Sequence, residues 1–364
     1  MNIYDYVNAP ELAAYIEEKF RLSNSTPLLG ATLFPNERYL GTDISWLKGA
    51  DSLPVTISPS NYDAKATMRE RTSFGKVSTE MAFFREGTSI KEKERQEINK
   101  LLYHPNSALA RPLIKAIFDD VAKIAEGVDI QAEYMRMQLL QYGAFEVYNQ
   151  DKTARYKYDY NMSKDAQVTI ANPWTDPKTS DPIADIRKAC DDAEDRTGVR
   201  PSRAVMNKTT FRNMIASESI KKQLMIGVAG NYKDLYITDA EAKRYIEDKT
   251  ELSIAIYNKS YASLTDDLIP DLTSAHIRKF IDNHKVVLLP NSTLGKTWRG
   301  TTPEESDLLT GAASASVSVL ANGTAVTTFK EPHPVNVTSI VSACMIPSFE
   351  MIRYVTVLTT GTDE

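Results

Sequence analysis

The chain has 364 residues, of which 42% are apolar and 25% are charged, and its formal net charge is −5. These values are ordinary for a soluble globular protein that is large enough for two compact units. The mild acidic excess argues against a sequence-independent nucleic-acid coat, which needs a basic surface. No apolar run is long enough to span a membrane, and residues 1–12 lack the pattern of a signal peptide.

Residues 1–50 do not have the pattern of an independently folded domain. Apolar side chains such as Leu12 and Ile16 recur at helical spacing over residues 10–20, which predicts a short helix. Residues 26–46 are predicted to be extended, because prolines and glycines interrupt them repeatedly. Their apolar side chains need a surface to lie on, so we expect an arm that docks on something larger.

Residues 51–87 are predicted to form extended runs joined by turns. Over residues 64–74 neither face is apolar, because Arg69 and Arg71 occupy one face and Glu70 lies on the other. A hairpin that is polar on both faces cannot bury itself on its own core. It therefore lies either in solvent, as a two-stranded loop, or over a neighbouring molecule, and the residue pattern leaves both alternatives open.

The longest predicted helix covers residues 107–143, after a shorter helix over residues 88–103 that Thr88 or Ser89 caps. Gly143 is suited to end the long helix in the left-handed conformation. Apolar side chains at steps of three and four define its buried face: Ile114, Ile117, Phe118, Val121, Ile124, Ala125, Val128, Ala132, Met135, Leu139 and Tyr142. Charged side chains define the opposite face, which we expect in water: Lys115, Asp119, Asp120, Lys123, Glu126 and Glu133.

A further unit is predicted to start near Asp181, which caps a helix with Pro182 in its first position and Gly198 at its end. Helices are predicted to open at Thr209 or Thr210 and, after a cap at Thr238, to cover residues 239–249. Short strands are predicted over residues 144–148, 155–160, 203–206, 253–257 and 285–289. The helices and strands alternate irregularly, so the fold class is α+β.

The last part of the chain, from residue 313 onward, is rich in predicted strands. Asn322 and Gly323 stand between two alternating runs, over residues 316–320 and 325–329, and this pair is typical of a tight hairpin turn. Residues 335–358 contain further runs of β-branched side chains.

No pattern in the sequence points to an active site. The histidines His104, His276, His284 and His333 are scattered without metal-ligand spacing, and no nucleophile elbow or dinucleotide motif is present. The sequence therefore predicts no catalytic residue, no cofactor and no metal site. A dispersed catalytic triad is compatible with these absences, so an enzyme with a dispersed site stays an alternative.

Two stretches resemble parts of ligand loops without completing them. Residues 295–297 resemble the end of a phosphate loop, but Pro290 stands where its first glycine is required. Asp266, Asp267 and Asp271 lack the glycine and the final glutamate of a calcium loop, which favours a solvated acidic turn.

The two cysteines, Cys190 and Cys344, are far apart in the sequence and form no CxxC pair. This usage favours a reduced, intracellular setting. Cys190 lies on the apolar face of a predicted helix, so it is expected in the core rather than as a nucleophile.

Several strings, in order along almost the whole chain, resemble the phage lambda-type major capsid protein E family. They are residues 29–35 (LGATLFP), 43–49 (DISWLKG), 63–67 (DAKAT), 83–87 (FFREG), 298–305 (WRGTTPEE) and 347–350 (PSFE). The resemblance implies the Hong Kong 97 phage capsid fold. Its implied parts are an N-terminal arm (1–50), an E-loop (51–87), a peripheral domain with a spine helix (88–180), an axial domain (181–334) and return strands of the peripheral domain (335–364).

The resemblance implies a protein that self-assembles into the icosahedral head shell of a tailed double-stranded DNA phage. The expected partners are further copies in hexamers and pentamers, a separate scaffolding protein, a portal, a decoration protein and packaged DNA bound without sequence specificity. The expected location is the virion capsid, assembled in the bacterial host cytoplasm. The residues that we expect at contacts between subunits are Trp46, Arg69, Arg71, Glu80, Phe83, Phe84, Arg85 and Glu86.

Three rival functions remain at this point. A tail or connector protein would form tubes or isolated rings rather than shells. A soluble α+β enzyme would be a small oligomer with a ligand bound, and a nucleic-acid-binding protein would retain DNA in a strongly salt-dependent way.

Overall fold

The structure is a computed structural model of the chain. It describes residue 3 and residues 6–22, 27–47, 76–103, 110–148, 154–224, 238–263, 276–308, 315–331, 333 and 335–362. Among these residues, no helix combines the length and the apolar character needed to cross a membrane.

The helices are α1 Ala9–Leu22, α2 Leu29–Leu33, α3 Glu92–Leu102, α4 Arg111–Tyr142, α5 Pro182–Thr197, α6 Lys208–Ala216, α7 Glu218–Leu224, α8 Asp239–Thr250 and α9 Pro303–Leu308. The first strands are β1 Asn36–Arg38, β2 Asp43–Leu47, β3 Lys76–Glu80, β4 Ala82–Ile90, β5 Ala144–Tyr148, β6 Ala154–Asp159, β7 Gln167–Thr169, β8 Arg203–Met206 and β9 Ser253–Ile256. The later strands are β10 Ser260–Ser263, β11 His276–Lys279, β12 Lys285–Leu289, β13 Thr297–Gly300, β14 Ala315–Val319, β15 Ala325–Lys330, β16 Val337–Pro347 and β17 Thr356–Thr359.

Helix α4 confirms the predicted long helix. Its 32 residues give a length of about 48 Å at the usual rise per residue. Pro112 lies in the first turn, and Gly143 ends the helix with a φ of +68° while its N–H donates to the Leu139 carbonyl at 2.8 Å. The predicted cap, Ser107, lies outside the described residues.

The chain forms two compact units, and unit 1 consists of Met1–Ser45, Ser78–Met135 and Gly295–Ser348. Its sheet has the strand order β1-β13-β16-β15-β14, and β4 also pairs with β16. The pairs are antiparallel except for β1 and β13, which run parallel. Helices α1 and α9 pack against β14 and β15. The turn between these two strands has Gly323 at a φ of +82°, which confirms the predicted hairpin.

Unit 2 consists of Trp46–Val77, Arg136–Leu294 and Phe349–Glu364. Its five-stranded sheet has the order β7-β17-β12-β8-β9. Apolar side chains from this sheet and from α5, α6 and α8 build the core around Trp174 and Phe211, which are fully buried. The strands over 203–206 and 285–289 have the predicted bounds, and a mixed α+β architecture is confirmed.

The helix caps predicted from the sequence for α5 and α8 in unit 2 are confirmed. The Asp181 side chain accepts the Ala184 N–H, and Gly198 ends α5 in the left-handed region. Thr238 and Glu241 form a reciprocal capping box at the start of α8. Helix α6 instead begins at Lys208, one or two residues earlier than predicted, because the Asn207 side chain caps it by accepting the Thr210 N–H at 2.8 Å.

Two predictions about local structure are wrong. Thr88 and Ser89 do not cap a helix, because the ladder with β16 extends β4 through Ile90 and α3 begins only at Glu92. Residues 26–46 are not extended throughout, since α2 lies near the start of the described part of this range. In the first case, long-range strand pairing overrides a good capping sequence.

The expected ranges for the capsid domains do not coincide with the two compact units. Strands β14 and β15, which fall within residues 181–334, pair in the same sheet as β4 and β16 in unit 1. Residues 335–364 are themselves divided, because β16 belongs to unit 1 and β17 to unit 2. The named capsid parts therefore stay a prediction.

Candidate subunit interface

Of the residues expected at subunit contacts, those that the structure describes lie in β2, β3 and β4. Arg69 and Arg71 lie outside the described residues, and so does the side chain of Trp46 in β2. Glu80 ends β3 and is exposed. Phe83, Phe84, Arg85 and Glu86 follow one another in β4.

Strand β4 is anchored along its whole length, from Ala82 opposite Met345 to Ile90 opposite Val337. Phe83 and Phe84 point to opposite faces of the strand, and both are half-buried. Glu86 is exposed. Gly87 permits the close pairing, because a Cβ at this position would lie 2.8 Å from the Ser339 carbonyl oxygen.

Arg85 is held by its own chain. Its guanidinium forms an ion pair with Glu304 on α9, at 2.5 Å, and lies 4.8 Å from the centre of the Phe83 ring. The other Glu304 oxygen accepts a hydrogen bond from Ser342 Oγ at 2.8 Å, and the carboxylate is buried. The ion pair fixes the Arg85 side chain in position. The side chain is still 47% exposed, so it is also accessible to a partner.

The short helix α9 holds two strands of unit 1 through adjacent acidic residues. Glu304 binds Arg85 of β4, and Glu305 forms an ion pair with Arg38 of β1. Thr302 caps the helix, since its Oγ1 accepts the Glu305 N–H at 3.2 Å. In the sequence these two acids belong to a family string, but no local pattern predicts their partners.

A buried charge network connects α4 to the sheet. Arg299 of β13 is 1% exposed, and its Nη2 donates to the Asp129 carboxylate at 2.9 Å. Asn322 donates from Nδ2 to both oxygens of this carboxylate, at 3.2 Å each. Burial lowers the pKa of the Arg299 guanidinium, and the Asp129 charge acts in the opposite direction. No local pattern predicts this network, although Asp129 is a charged residue between two apolar neighbours.

Glu133 corrects the predicted exposed face of α4. This carboxylate is fully buried, and it accepts the backbone N–H of Gly30 at 2.9 Å. Gly30 is itself buried and lies in the first turn of α2. The expectation that Glu133 faces water was therefore wrong, because residues 29–33 cover it.

The described part of residues 1–50 buries apolar side chains on its own chain. Ile3, Leu12, Ile16 and Phe34 are fully buried with a single chain present. The Tyr15 hydroxyl donates to Asp119 at 2.8 Å, and Lys19 binds the same carboxylate at 2.6 Å. For the residues that the structure describes, the surface on which the expected arm docks therefore belongs to the same chain and not to a neighbouring subunit.

Three of the six family strings come together in unit 1. Thr297 donates from Oγ1 to the Phe34 carbonyl at 2.9 Å, and its N–H donates to the Pro35 carbonyl at 2.8 Å. Trp298 donates from Nε1 to Ser348 Oγ at 3.1 Å. The Trp298 bond joins the strings at 298–305 and 347–350, and the two Thr297 bonds join the residue directly before the string at 298–305 to the string at 29–35. The motifs therefore specify how this sheet is assembled rather than a catalytic centre.

The described residues offer no arrangement for metal chemistry. Across those ranges, no group of at least three His, Cys, Asp or Glu side chains is placed to hold a metal ion. Residues 295–297 lead into strand β13 rather than into a helix, so they do not form a phosphate loop. Asp266, Asp267 and Asp271 lie outside the described residues.

The fold defines the class of protein. The chain aligns over 98% of its length with 99% of a prophage protein from Escherichia coli CFT073 assigned as a capsid protein, at 15% identity and a TM-score of 0.56. It aligns over 98% with 98% of a phage-related protein from Bordetella bronchiseptica RB50, at 12% identity and a TM-score of 0.52. It also covers 95% of the cyanophage A-1(L) capsid chain with 94% of its own length, at 12% identity and a TM-score of 0.50. This architecture is the Hong Kong 97-like phage capsid fold.

The family follows from the sequence itself. The sequence model of the family Phage major capsid protein E matches residues 8–342, and the chain belongs to this family. Among curated proteins, none matches the chain. The predicted resemblance is confirmed, and the protein is a shell-forming phage capsid protein with a structural role. Tail, connector and nucleic-acid-binding alternatives are not supported.

Proposed function

We propose that residues 51–87 are the E-loop and that this hairpin, rather than the N-terminal helix, joins neighbouring subunits of the shell. The contact residues in this proposal are those predicted from the sequence: Trp46, Arg69, Arg71, Glu80, Phe83, Phe84, Arg85 and Glu86. The observation that supports this proposal is the partial burial of two aromatic side chains in β4. Both phenylalanines at the base of the hairpin are only half-buried, although β4 is paired over its full length.

The geometry of β4 explains why such a contact would be specific. Residues 82–90 are fixed by the ladder to β16 and by the Arg85–Glu304 ion pair. The hairpin base therefore has a defined direction before any subunit binds, which lowers the entropic cost of association. A neighbour that covers Phe83 or Phe84 gains apolar burial at about 25 cal/mol per Å².

The remaining details of the proposal come from the family and from the charge. The shell is icosahedral, with hexamers and pentamers of this chain, and it assembles in the bacterial host cytoplasm on a separate scaffolding protein. It includes a portal and a decoration protein. The net charge of each chain is −5, which suits a shell that encloses double-stranded DNA without binding it tightly. The chain carries out no catalysis and needs no cofactor.

The test is a variant in which a Gly–Ser linker of about eight residues, enough to span the paired strands, replaces residues 51–75. A deletion through Gly87 would remove most of β4 and unfold unit 1, so β3 and β4 are kept. We expect the variant to stay folded by circular dichroism but to form no shells in negative-stain microscopy or sedimentation. If the linker variant forms shells at the wild-type yield, the proposed role of the hairpin is wrong. If the wild-type chain forms tubes or isolated rings, the proposed icosahedral shell is wrong.

A point substitution at Glu86 tests the proposed subunit contact without changing the length of the hairpin. Glu86→Lys reverses an exposed charge at the hairpin base, whereas Glu126→Lys makes the same change on the exposed side of α4. We expect Glu86→Lys to lower the particle yield at least about tenfold, the effect of losing roughly 1.4 kcal/mol. The Glu126→Lys control should assemble as the wild type does. Equal yields for the two variants would contradict the assignment of Glu86.

A further inference from the structure

A turn between β1 and β2 presents an apolar side chain to solvent. In this turn, residues 39–42, the Leu40 side chain is 89% exposed and the neighbouring Tyr39 is 36% exposed. No other large apolar side chain that the structure describes as exposed reaches the value of Leu40. An exposed leucine by itself needs no explanation, so the turn matters only if it is rigid and if its surroundings select a partner.

The backbone of the 39–42 turn is held at both ends. The Tyr39 N–H donates to the Arg299 carbonyl at 2.9 Å, and the Met81 N–H donates to the Thr42 carbonyl at 2.9 Å. Gly41 has a φ of +115°, a conformation that favours glycine. Leu40 is therefore presented in a fixed position by a turn that glycine shapes.

The packing beneath the turn requires a second glycine. A Cβ at Gly300 would lie 2.7 Å from the Gly41 carbonyl oxygen and 2.7 Å from Met81 Sδ. Gly300 belongs to the family string at 298–305, and its lack of a side chain lets the turn lie directly on β13. Leu40 is thus exposed on a turn whose backbone packs closely against β13, and not on a loose loop.

The charges around the turn already have partners within the chain. Glu37 binds Lys296 at 2.6 Å, and Arg38 forms an ion pair with Glu305. The Lys296 ammonium also lies 5.2 Å from the centre of the Trp298 ring. These cations are neutralised by neighbouring carboxylates, so the surface does not suit a phosphate backbone. An apolar side chain inside a rim of paired charges suits a protein partner with an apolar pocket.

We propose that Leu40 is a hydrophobic anchor that enters an apolar pocket on a second copy of this chain. Two observations select a second copy as the occupant. The chain belongs to a family of shell-forming proteins, in which copies contact one another. The turn is also continuous with the proposed interface, because β2 starts at the next residue after Thr42 and leads into residues 48–75. In this respect the inference rests on the proposed function.

Thiol protection tests the anchor directly. In Leu40→Cys the added thiol is the only exposed one among the described residues, since Cys190 and Cys344 are buried. The full-length variant is labelled with a maleimide before and after assembly. We expect the labelling rate to fall at least about tenfold in shells, because a buried side chain is shielded from the reagent. An equal rate in subunits and in shells would overturn the proposal.

Two further substitutions at the same position test the chemistry of the anchor. Leu40→Met keeps an apolar side chain and should assemble, whereas Leu40→Asp should lose at least about tenfold in particle yield, since a charge enters an apolar pocket. Both variants should unfold at the wild-type urea concentration, because the side chain contributes little to the folded monomer. Wild-type assembly of Leu40→Asp would overturn the proposal.

These results are separable from a failure of the proposed E-loop function. If the variant lacking residues 51–75 still assembles, the E-loop proposal fails while the Leu40→Cys labelling rate still reports on the turn. If that variant does not assemble and Leu40→Cys reacts equally in subunits and shells, only the anchor fails.

Discussion

The Asp129 carboxylate lies 2.9 Å from Nη2 of Arg299, and it connects the long helix α4 to strand β13 in unit 1. The arginine is almost fully buried, while the aspartate is 30% exposed. Such a pair contributes little net stability against an apolar replacement, but a single missing partner leaves a buried charge. The pair therefore specifies which face of α4 lies against the sheet.

Asp129→Ala should destabilise the protein strongly, because it leaves the Arg299 guanidinium buried without its counter-charge. The expected loss in the free energy of unfolding is about 3 kcal/mol. Urea denaturation measures it. The matched control is Asp120→Ala on the same helix, whose pair with Lys123 is exposed and which should cost less than about 0.5 kcal/mol. Similar losses for the two variants would contradict a buried network at Asp129.

The glycine inside α4 and the glycine that follows its last residue should respond in opposite directions to alanine. Gly127→Ala in the interior of α4 meets no atom within 4 Å and should stabilise the protein by about 0.5–1 kcal/mol. Gly143→Ala should destabilise it by at least about 1 kcal/mol, because the φ is +68° and the new Cβ would lie 2.4 Å from Met162 Cβ. Thermal unfolding of both variants checks the sign. A stabilised Gly143→Ala would contradict the assigned helix end.

The contact of α1 with α4 should depend on pH. Hydrogen bonds from Lys19 and then from Tyr15 lower the pKa of the Asp119 carboxyl below its usual value. A lowered folded-state pKa means that the stabilisation is present above the unfolded value, about 3.9 for aspartate, and is lost as the pH falls through the folded value.

The measurement is the difference in unfolding free energy between the wild type and Asp119→Asn. This difference should be constant from about pH 5 to pH 7 and should shrink as the pH falls below about 4. A difference that stays unchanged down to pH 3 would show that the Asp119 contact contributes no charge-dependent stability.

The native cysteines should be inert in the folded protein. Burial raises the pKa of both Cys190 and Cys344 to about 11, so almost no thiolate is present at pH 8. We expect no reaction with a disulfide reagent at that pH until urea unfolds the chain, when both thiols react. Rapid labelling of the native wild type would contradict their burial and would also require a cysteine-free background for Leu40→Cys.

Local sequence was sufficient for the elements whose signals act over a few residues. The Asp181 cap, the end of α5 at Gly198 and the turn at Gly323 follow from side-chain capping and from backbone conformations that glycine adopts easily. The length of α4 follows from the helical spacing of its apolar side chains. The order of the family strings likewise indicated the capsid fold before any contact was visible.

Only the tertiary structure decided which polar side chains are buried and which strand ends extend. Glu133 lies on the charged side of α4 by spacing, yet α2 covers it and supplies the Gly30 N–H. Residues 88–90 continue β4 because β16, about 250 positions later, offers a ladder partner. Burial and strand pairing depend on atoms that are distant in the sequence, so periodicity and capping signals, which are local, carry no information about them.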